Sequence, residues 1–268
     1  MSDIKLIVMG ASWGGLSAFT RIFSTMPADF EIPIIVVQHR SRHGDNLLAM
    51  LLQDCTALRV VDVEDKEPLE ARSVFVAPAN YHLLVEGDHI SLTTDPLVKF
   101  SRPSIDVTFI SAGDAYGRGV VGVVLTGAND DGSRGLRHIV DRGGRGIVQD
   151  PATAESPTMP ASALKEVPES EVVPITEIAS RLVNIVKHAG TSDAAIRFEH
   201  TPAHLLVIVR DYGKGFDIAK VLNDPQQAHG LLVIQDRLNL LGCKLEVTSQ
   251  PGGGTEAIIQ VPYGNMEA

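Results

Sequence analysis

The sequence lacks several features that would place the protein outside the cytoplasm or on nucleic acid. Its two cysteines, Cys55 and Cys243, are too few for a disulfide framework or a cysteine-rich metal cluster. No charged and apolar leader opens the chain, and no apolar run approaches the length of a membrane span. Basic residues are outnumbered 33 to 23 by acidic ones, and the net charge of -10 argues against a general nucleic-acid binder. We therefore expect a cytoplasmic protein with no membrane insertion and no nucleic-acid partner.

What the chain does have is enough apolar sequence for a sizeable core. With 268 residues and 44% hydrophobic content, it can form one large domain or one and a half ordinary ones. Apolar runs alternate with segments of helical spacing, which predicts an α/β fold with a doubly wound parallel sheet. Within it we expect Ser104 to cap a helix and the proline-punctuated segment 151–160 to be a loop.

The segment from Ile4 to Ser17 predicts an apolar strand, a tight glycine turn and the start of a helix. Its turn has the G-x-S-x-G spacing of a nucleophile elbow, with Ser12 in the central position. The amides at the start of the helix could hold an oxyanion next to that hydroxyl. The same pattern also fits a nucleotide-binding turn or a plain structural turn.

Reactive side chains follow three of the predicted strands. Ser12, His39 and the Asp130–Asp131 pair each come after the carboxyl end of an apolar run. In an open parallel sheet these ends meet along one edge, so the three could converge into a catalytic triad. Taken singly, the histidine is as well explained as a loop residue and the aspartate pair as a turn.

Several motifs, in this order along the chain, together resemble the chemotaxis receptor methylesterase (CheB) family over about residues 3–187. They are Gly-Ala-Ser-Trp-Gly-Gly at 10–15, Val-Gln-His at 37–39, Val-Ala-Pro at 76–78 with His82, Arg-Pro-Ser-Ile-Asp at 102–106, Leu-Thr-Gly-Ala-Asn-Asp-Asp-Gly at 125–132, Gln-Asp at 149–150 and Met-Pro-x-x-Ala at 159–163.

The resemblance implies a protein-glutamate methylesterase, a serine hydrolase that needs no cofactor and has a possible glutamine deamidase side activity. It implies Ser12 as the nucleophile, His39 as the base and Asp131 as the orienting carboxylate. Asp131 is preferred to Asp130 because the family's aspartate directly precedes a glycine, here Gly132. The implied partner is a methylated chemoreceptor or a similar signalling protein, with other chemotaxis signalling proteins as further possible partners.

The sequence departs from the family pattern near the predicted site. Trp13 stands where a threonine usually follows the nucleophile, and Ala128-Asn129 replaces the usual Met-Gly before the aspartate. Because only three residues precede Ile4, we also expect the chain to lack the receiver domain that is common in this family.

From Asn184 onward the sequence changes to short strand-like segments separated by glycine-rich turns, which predicts a smaller α+β segment. Its motifs resemble the ATP-binding (GHKL) domain of histidine kinases. The resemblance implies that Asn184 holds Mg²⁺, that Lys187 or His188 approaches the phosphates of ATP, and that Asp211 binds the adenine amine. The residues implied to line the nucleotide pocket are Gly213, Gly215, Gly230 and Thr255.

This second resemblance is incomplete. Ser180 replaces the acidic residue expected four positions before the asparagine, and no helix with a phosphoacceptor histidine precedes the segment. We therefore predict two domains, 1–187 and 188–268, joined inside a shared helix at about 175–189, and expect ATP and Mg²⁺ to bind weakly or not at all. The alternative function is an ATP-binding signalling module in which the N-terminal domain is a partner-binding scaffold.

Overall fold

A computed structural model describes residues 4–40, 47–188, 194–201, 204–211, 213, 215–223, 225–251 and 253–263. The chain divides into two compact units, residues 2–187 (the first unit) and residues 188–268 (the second unit). Each unit is described by itself below.

The first unit alternates strands and helices along its length. Its elements in chain order are β1 (Leu6–Ala11), α1 (Gly15–Phe23), β2 (Ile34–Gln38), α2 (Leu47–Gln53), β3 (Arg59–Asp62), β4 (Glu67–Pro68), β5 (Ser73–Val76), β6 (His82–Glu86), β7 (His89–Thr93), α3 (Ile105–Tyr116), β8 (Val120–Val124), α4 (Ser133–Asp141), β9 (Arg145–Gln149), α5 (Thr158–Glu166), β10 (Glu171–Val173) and α6 (Ile178–His188).

Seven of these strands form a wholly parallel sheet in the order β10-β9-β8-β1-β2-β5-β3. Strands β1 and β8 are buried at every position, which explains their uninterrupted apolar sequences. The predicted doubly wound parallel sheet is therefore confirmed. From β1 the chain builds the sheet outward through β2 on one side and later through β8 on the other, so a switch in strand order lies beside β1.

The core of this unit forms where helices cover the sheet. Leu6 and Val8 of β1 join a buried cluster with Phe109 of α3 and Leu136 of α4. Each fully buried side chain of this kind contributes about 1.5–3 kcal/mol relative to exposure. The packing fixes the carboxyl ends of the central strands, where the polar residues lie. Strands β4, β7 and β6 form a separate three-stranded antiparallel sheet.

The expectation of a continuous loop at 151–160 was wrong. Residues Pro151–Thr153 form a short 3-10 turn, and α5 begins at Thr158. Pro160 is the third residue of α5, where a backbone donor has no intrahelical acceptor, so a proline is tolerated there.

The second unit consists of β11 (Ala194–His200), β12 (His204–Asp211), α7 (Ile218–Asn223), α8 (Pro225–Leu240), β13 (Lys244–Ser249) and β14 (Thr255–Pro262). Its four strands form an antiparallel sheet in the order β11-β12-β14-β13, and α8 packs against β13 and α7. The predicted smaller α+β segment is confirmed. Among the described helices of both units, none combines the length and apolar character that crossing a membrane requires.

Candidate active site

The turn between β1 and α1 carries Ser12 at the edge of the parallel sheet. Gly14 adopts a left-handed conformation with φ of 79°, which a side chain would strain. Ser12 is fastened on two sides, because its amide donates to the carbonyl of Thr126 at 2.9 Å and its carbonyl accepts from Gln38 Nε2 at 2.7 Å. Next to it, a Cβ atom at Gly15 would lie 1.9 Å from Gln38 Oε1 and 2.8 Å from the Cβ atom of Ala11, so a side chain there would displace its neighbours.

Ser12 and His39 line one open cavity above this turn, together with Trp13, Gln38, Ala128 and Glu155. Trp13 lies at its rim with 67% of its surface exposed. Within the described residues, the side-chain hydrogen bonds of His39 go to Asp131, Asn129 and Ser101 and not to the Ser12 hydroxyl. Such a hydrogen bond often tightens only when a substrate is bound.

The carboxylate that meets His39 belongs to Asp131. His39 Nε2 lies 2.7 Å from Asp131 Oδ2, and the side chain of Asp131 is fully buried. Its neighbour Asp130 is 64% exposed and pairs instead with Lys99, at 3.1 Å. The structure thus brings Ser12 and His39 into one cavity and places Asp131, not Asp130, against the far side of the imidazole.

Asp131 is held by the start of α3. Its carboxylate accepts hydrogen bonds from Ser104 Oγ at 2.9 Å, the amide of Ile105 at 2.7 Å and the amide of Asp106 at 3.1 Å. The N-terminus of a helix stabilises an anion in this way. Burial alone would raise the pKa of Asp131, but the hydrogen bond and charge of His39, with these amides, hold that pKa below its usual value.

The prediction that the Ser104 side chain caps a helix was therefore wrong. Ser104 does occupy the position before α3, with extended backbone angles, but its hydroxyl makes no capping hydrogen bond. It is directed to the carboxylate of Asp131, a charged acceptor that forms a stronger hydrogen bond than a neutral one.

A second buried carboxylate, that of Asp106, holds the loop that carries Asp131. Its Oδ1 accepts from the amides of Gly132 at 2.9 Å and Gly135 at 2.8 Å, while Lys99 Nζ lies 3.1 Å from its Oδ2. Burial and the nearby charge of Asp131 raise the pKa of Asp106. Sequence reasoning gave no role to Lys99 or Asp106, although the motif Arg-Pro-Ser-Ile-Asp contained the latter.

The other nitrogen of His39 faces two polar side chains that sequence reasoning also left without a role. Asn129 Nδ2 lies 3.4 Å and Ser101 Oγ 3.5 Å from His39 Nδ1. The Oδ1 atom of Asn129 accepts from the amide of Asp131 at 3.2 Å. The departure from the family pattern at position 129 was a signal that this residue contacts the site.

The residues implied for nucleotide binding are brought together only in part. In the second unit, Asp211 ends β12 opposite Thr255 of β14, and its Oδ1 accepts from the amide of Gly213 at 2.8 Å. Gly215 lies close to the turn after β13, since a Cβ atom there would be 2.0 Å from the carbonyl oxygen of Gln250. This cluster is the part of the predicted pocket that the structure assembles.

Asn184 and Lys187, which were assigned to Mg²⁺ and phosphate, lie exposed on α6 in the first unit. The hydroxyl of Ser180, at the position of the expected acid, donates to the carbonyl of Glu177 at 2.8 Å. The side chain of His188 and the surroundings of Gly230, which lies within α8, fall outside the described residues. Among the residues that are described, no group of three or more His, Cys, Asp or Glu side chains could hold a metal ion.

Comparisons with known proteins agree with this geometry. The sequence model of the family described as CheB methylesterase matches residues 7–182. A protein of Leptospira interrogans, named as a putative protein-glutamate methylesterase/protein-glutamine glutaminase, is 41% identical over 184 residues, which cover 68% of this chain and 95% of that protein. The chain belongs to the CheB methylesterase family.

Other CheB relatives support the same assignment. The protein-glutamate methylesterase FrzG of Myxococcus xanthus is 37% identical over 182 residues. The matched residues make up 68% of this chain and 54% of that protein. The chain thus spans about half of this longer relative. The crystal structure of the CheB methylesterase catalytic domain of Thermotoga maritima superposes with a TM-score of 0.66 at 30% identity, covering 68% of this chain and 99% of that one.

A second family model matches residues 175–265 and is described as a histidine kinase-, DNA gyrase B- and HSP90-like ATPase. Both predicted family resemblances are confirmed by these matches. The two matched ranges overlap at residues 175–182, so the start of α6 is common to both.

Proposed function

We propose that the first unit is a serine esterase that removes methyl groups from esterified glutamate side chains. Ser12 is the nucleophile, His39 the general base and acid, and Asp131 the carboxylate that orients the imidazole. The observation that carries the proposal is the buried carboxylate of Asp131, which lies 2.7 Å from His39 Nε2 while His39 shares an open cavity with Ser12.

In the first half of the reaction, Ser12 Oγ attacks the ester carbonyl carbon while its proton passes to the ring nitrogen of His39 that Asp131 does not hold. The tetrahedral intermediate collapses when His39 returns that proton to the departing methoxide, which leaves as methanol. The product is an ester between Ser12 and the γ-carboxyl group of the substrate glutamate.

In the second half, His39 takes a proton from a water molecule, which attacks this acyl-enzyme. Ser12 leaves with the proton and the glutamate carboxylate is released. The oxyanion donors are the backbone amides of Trp13 and Gly14 at the start of α1, because the amides of Ser12 and Gly15 already donate to the carbonyls of Thr126 and Ser12. One such donor contributes about 3–4 kcal/mol to the transition state in comparable enzymes.

The substrate class follows from the family and from the open form of the site. A cavity open to solvent accepts a side chain presented by another protein, and the exposed Trp13 offers an apolar surface beside the nucleophile. The partner is a methylated chemoreceptor or a similar signalling protein, and a glutamine amide can replace the ester with ammonia as leaving group. The activity belongs in the cytoplasm, where the free cysteines Cys55 and Cys243 stay reduced.

The second unit binds ATP weakly or not at all in this proposal. The fit of the adenine end is good, because Asp211 and Thr255 face each other across β12 and β14 and Gly213 turns the chain beside them. The fit of the Mg²⁺ and phosphate end is poor, because Ser180 replaces the acid and its hydroxyl is directed to a backbone carbonyl. We therefore assign no phosphate chemistry to this unit.

The direct test is methanol release from a protein or peptide that carries glutamate γ-methyl esters, with Ser12→Ala beside the wild type. We expect a loss on the order of 10³-fold or more in kcat, because the nucleophile is removed. The control is Ser17→Ala, which removes another serine hydroxyl that lines the same cavity, from an exposed residue of α1. Methanol release by Ser12→Ala close to the wild-type rate would refute the proposed mechanism.

A further inference from the structure

The two ring nitrogens of His39 have different partners. Nε2 lies 2.7 Å from the carboxylate of Asp131, a short and charge-assisted contact. Nδ1 lies 3.4 Å from the amide nitrogen of Asn129 and 3.5 Å from the hydroxyl of Ser101, which are long contacts for hydrogen bonds. The reacting nitrogen in the proposed mechanism is therefore Nδ1, because Asp131 occupies the other one.

The orientation of the Asn129 amide is fixed by its own second contact. Its Oδ1 accepts a hydrogen bond from the amide of Asp131, so its NH₂ group is the end that faces His39. An amide NH₂ group can only donate. His39 Nδ1 must then be an acceptor, and the ring proton must sit on Nε2, where it is donated to Asp131.

We infer that Asn129 is a positioning residue that holds His39 as the Nε2–H tautomer, with Nδ1 unprotonated and therefore able to take the proton of Ser12. This inference rests on the proposed roles of Ser12 and His39. Asn129 and Asp131 act on opposite ends of the ring but specify the same tautomer. The contact at 3.4 Å is weak enough to be exchanged for the Ser12 hydroxyl when a substrate arrives.

The chemical step itself displaces Asn129. When the proton of Ser12 passes to Nδ1, that nitrogen faces the NH₂ group of Asn129, so two donors meet and Asn129 must turn aside. Of the described charged groups, Asp131 faces Nε2, Glu155 lies across the cavity, and Lys99 with Asp106 and Asp130 lies behind Asp131. Of the two polar side chains at Nδ1, Asn129 presents only a donor, whereas the Ser101 hydroxyl can serve either as donor or as acceptor.

The test replaces the donor by an acceptor of the same shape, Asn129→Asp, in the full chain. The new carboxylate accepts a hydrogen bond from protonated Nδ1, so we expect the acid limb of the kcat/KM profile to move to higher pH. We expect kcat at pH 7 to fall by about 10²-fold, the lower end of what a general base contributes. Asn129→Ala removes the donor without adding charge, so we expect about a 10-fold lower kcat, an unchanged KM and an unmoved acid limb. Asp130→Asn is the control, since it changes one exposed group next to Asn129 and leaves both His39 contacts in place.

Nitrogen-15 spectra of histidine-labelled protein give a readout that needs no activity. With His39 neutral, the wild type should show a protonated Nε2 and a bare Nδ1, and Asn129→Asp should keep both nitrogens protonated to higher pH. A protonated Nδ1 in the neutral wild type, or identical pH profiles for Asn129→Asp and Asn129→Ala, would overturn the inference. Failure of Ser12→Ala to abolish methanol release would overturn the proposed function instead, so the two outcomes are distinguishable.

Discussion

The two units differ in where the described carboxylates lie. In the first unit, Asp131 and Asp106 are buried, and donors from the chain surround each carboxylate. In the second, the ion pair of Lys220 with Asp217 is at 3.8 Å and largely exposed. The difference shows which unit can hold a catalytic carboxylate, because a carboxylate that must orient a base needs a rigid and dry surrounding.

The sheets of the two units also differ in how deeply their strands are buried. Strands β1 and β8 of the first unit are buried throughout, whereas β13 alternates between exposed and half-buried positions. Among the described side chains of the second unit, the buried apolar ones are Ile208 and Cys243. Ile196 and Phe198 of β11 are 62% and 63% exposed. The described side chains of this sheet thus offer a surface for binding rather than a dry surrounding for a reacting charge.

The largest predicted effect separates the buried aspartate from its exposed neighbour. Asp131→Asn should lower kcat by about 10⁴-fold, because the amide favours the wrong tautomer of His39. Asp130→Asn should stay close to wild type, since Asp130 is exposed and contacts Lys99. Methanol release measures both, with circular dichroism to confirm the fold. The reverse ranking would show that Asp130 orients the base.

The next effect compares one lysine in each unit. Lys99→Met leaves the buried carboxylate of Asp106 without its ion-pair partner, so we expect the free energy of unfolding at pH 7.5 to fall by about 3 kcal/mol, as for broken buried pairs. Lys220→Met, in the exposed pair, should cost no more than about 0.5 kcal/mol. Urea unfolding, followed separately for each unit by a local probe, gives both values.

This comparison also has a definite pH dependence. The pKa of Asp106 is raised in the folded protein, so the folded state binds its proton more tightly than the unfolded chain does. The contribution of Asp106 to the free energy of unfolding therefore decreases as the pH rises from the pKa of the unfolded state through the raised pKa of the folded state. Removing Lys99 raises that pKa further, so the destabilisation by Lys99→Met should be larger at pH 7.5 than at pH 5. A cost that is equal at both pH values would contradict the assigned ion pair.

A smaller effect is predicted at the rim of the cavity. Trp13→Ala should raise KM for a methylated protein substrate about 10-fold with kcat nearly unchanged, because an apolar contact of about 1.4 kcal/mol is lost equally from ground and transition states. The control is Phe100→Ala, which removes an even more exposed aromatic side chain, 97% exposed, that is not among the cavity-lining residues. If both variants behave alike, Trp13 is not a substrate contact.

The smallest effect is expected for the nucleotide. Labelled ATP should bind at best in the micromolar range, and no phosphate should be transferred to any histidine of the chain, because the set of residues for Mg²⁺ and phosphate is incomplete. Any residual binding should be lost in Asp211→Ala and unchanged in Asn184→Ala. ATP hydrolysis that disappears in Asn184→Ala would show a working ATPase and would remove the contrast between the units.

Much of the candidate site could be predicted from strand ends. Ser12, His39 and Asp131 each follow an apolar run, and the parallel topology brings these ends to one edge. The supporting residues could not be found in this way. Asp106 reaches the Asp131 loop only because the start of α3 packs there, and Lys99 meets Asp106 from the segment between β7 and α3. The local pattern also gave a wrong prediction at 151–160. The prolines there indicated a loop, but a proline in the first turn of a helix costs little stability.

The way Asp131 is bound has a consequence for how this enzyme can be altered. Enzymes are often stabilised at the expense of activity, because catalytic groups tend to be strained or poorly solvated. Here the carboxylate that orients His39 is also the anion bound at the N-terminus of α3, where it accepts a hydrogen bond from the hydroxyl of Ser104. Selection for heat resistance should therefore preserve this constellation, and laboratory variants that tighten the start of α3 should gain thermal tolerance without losing turnover.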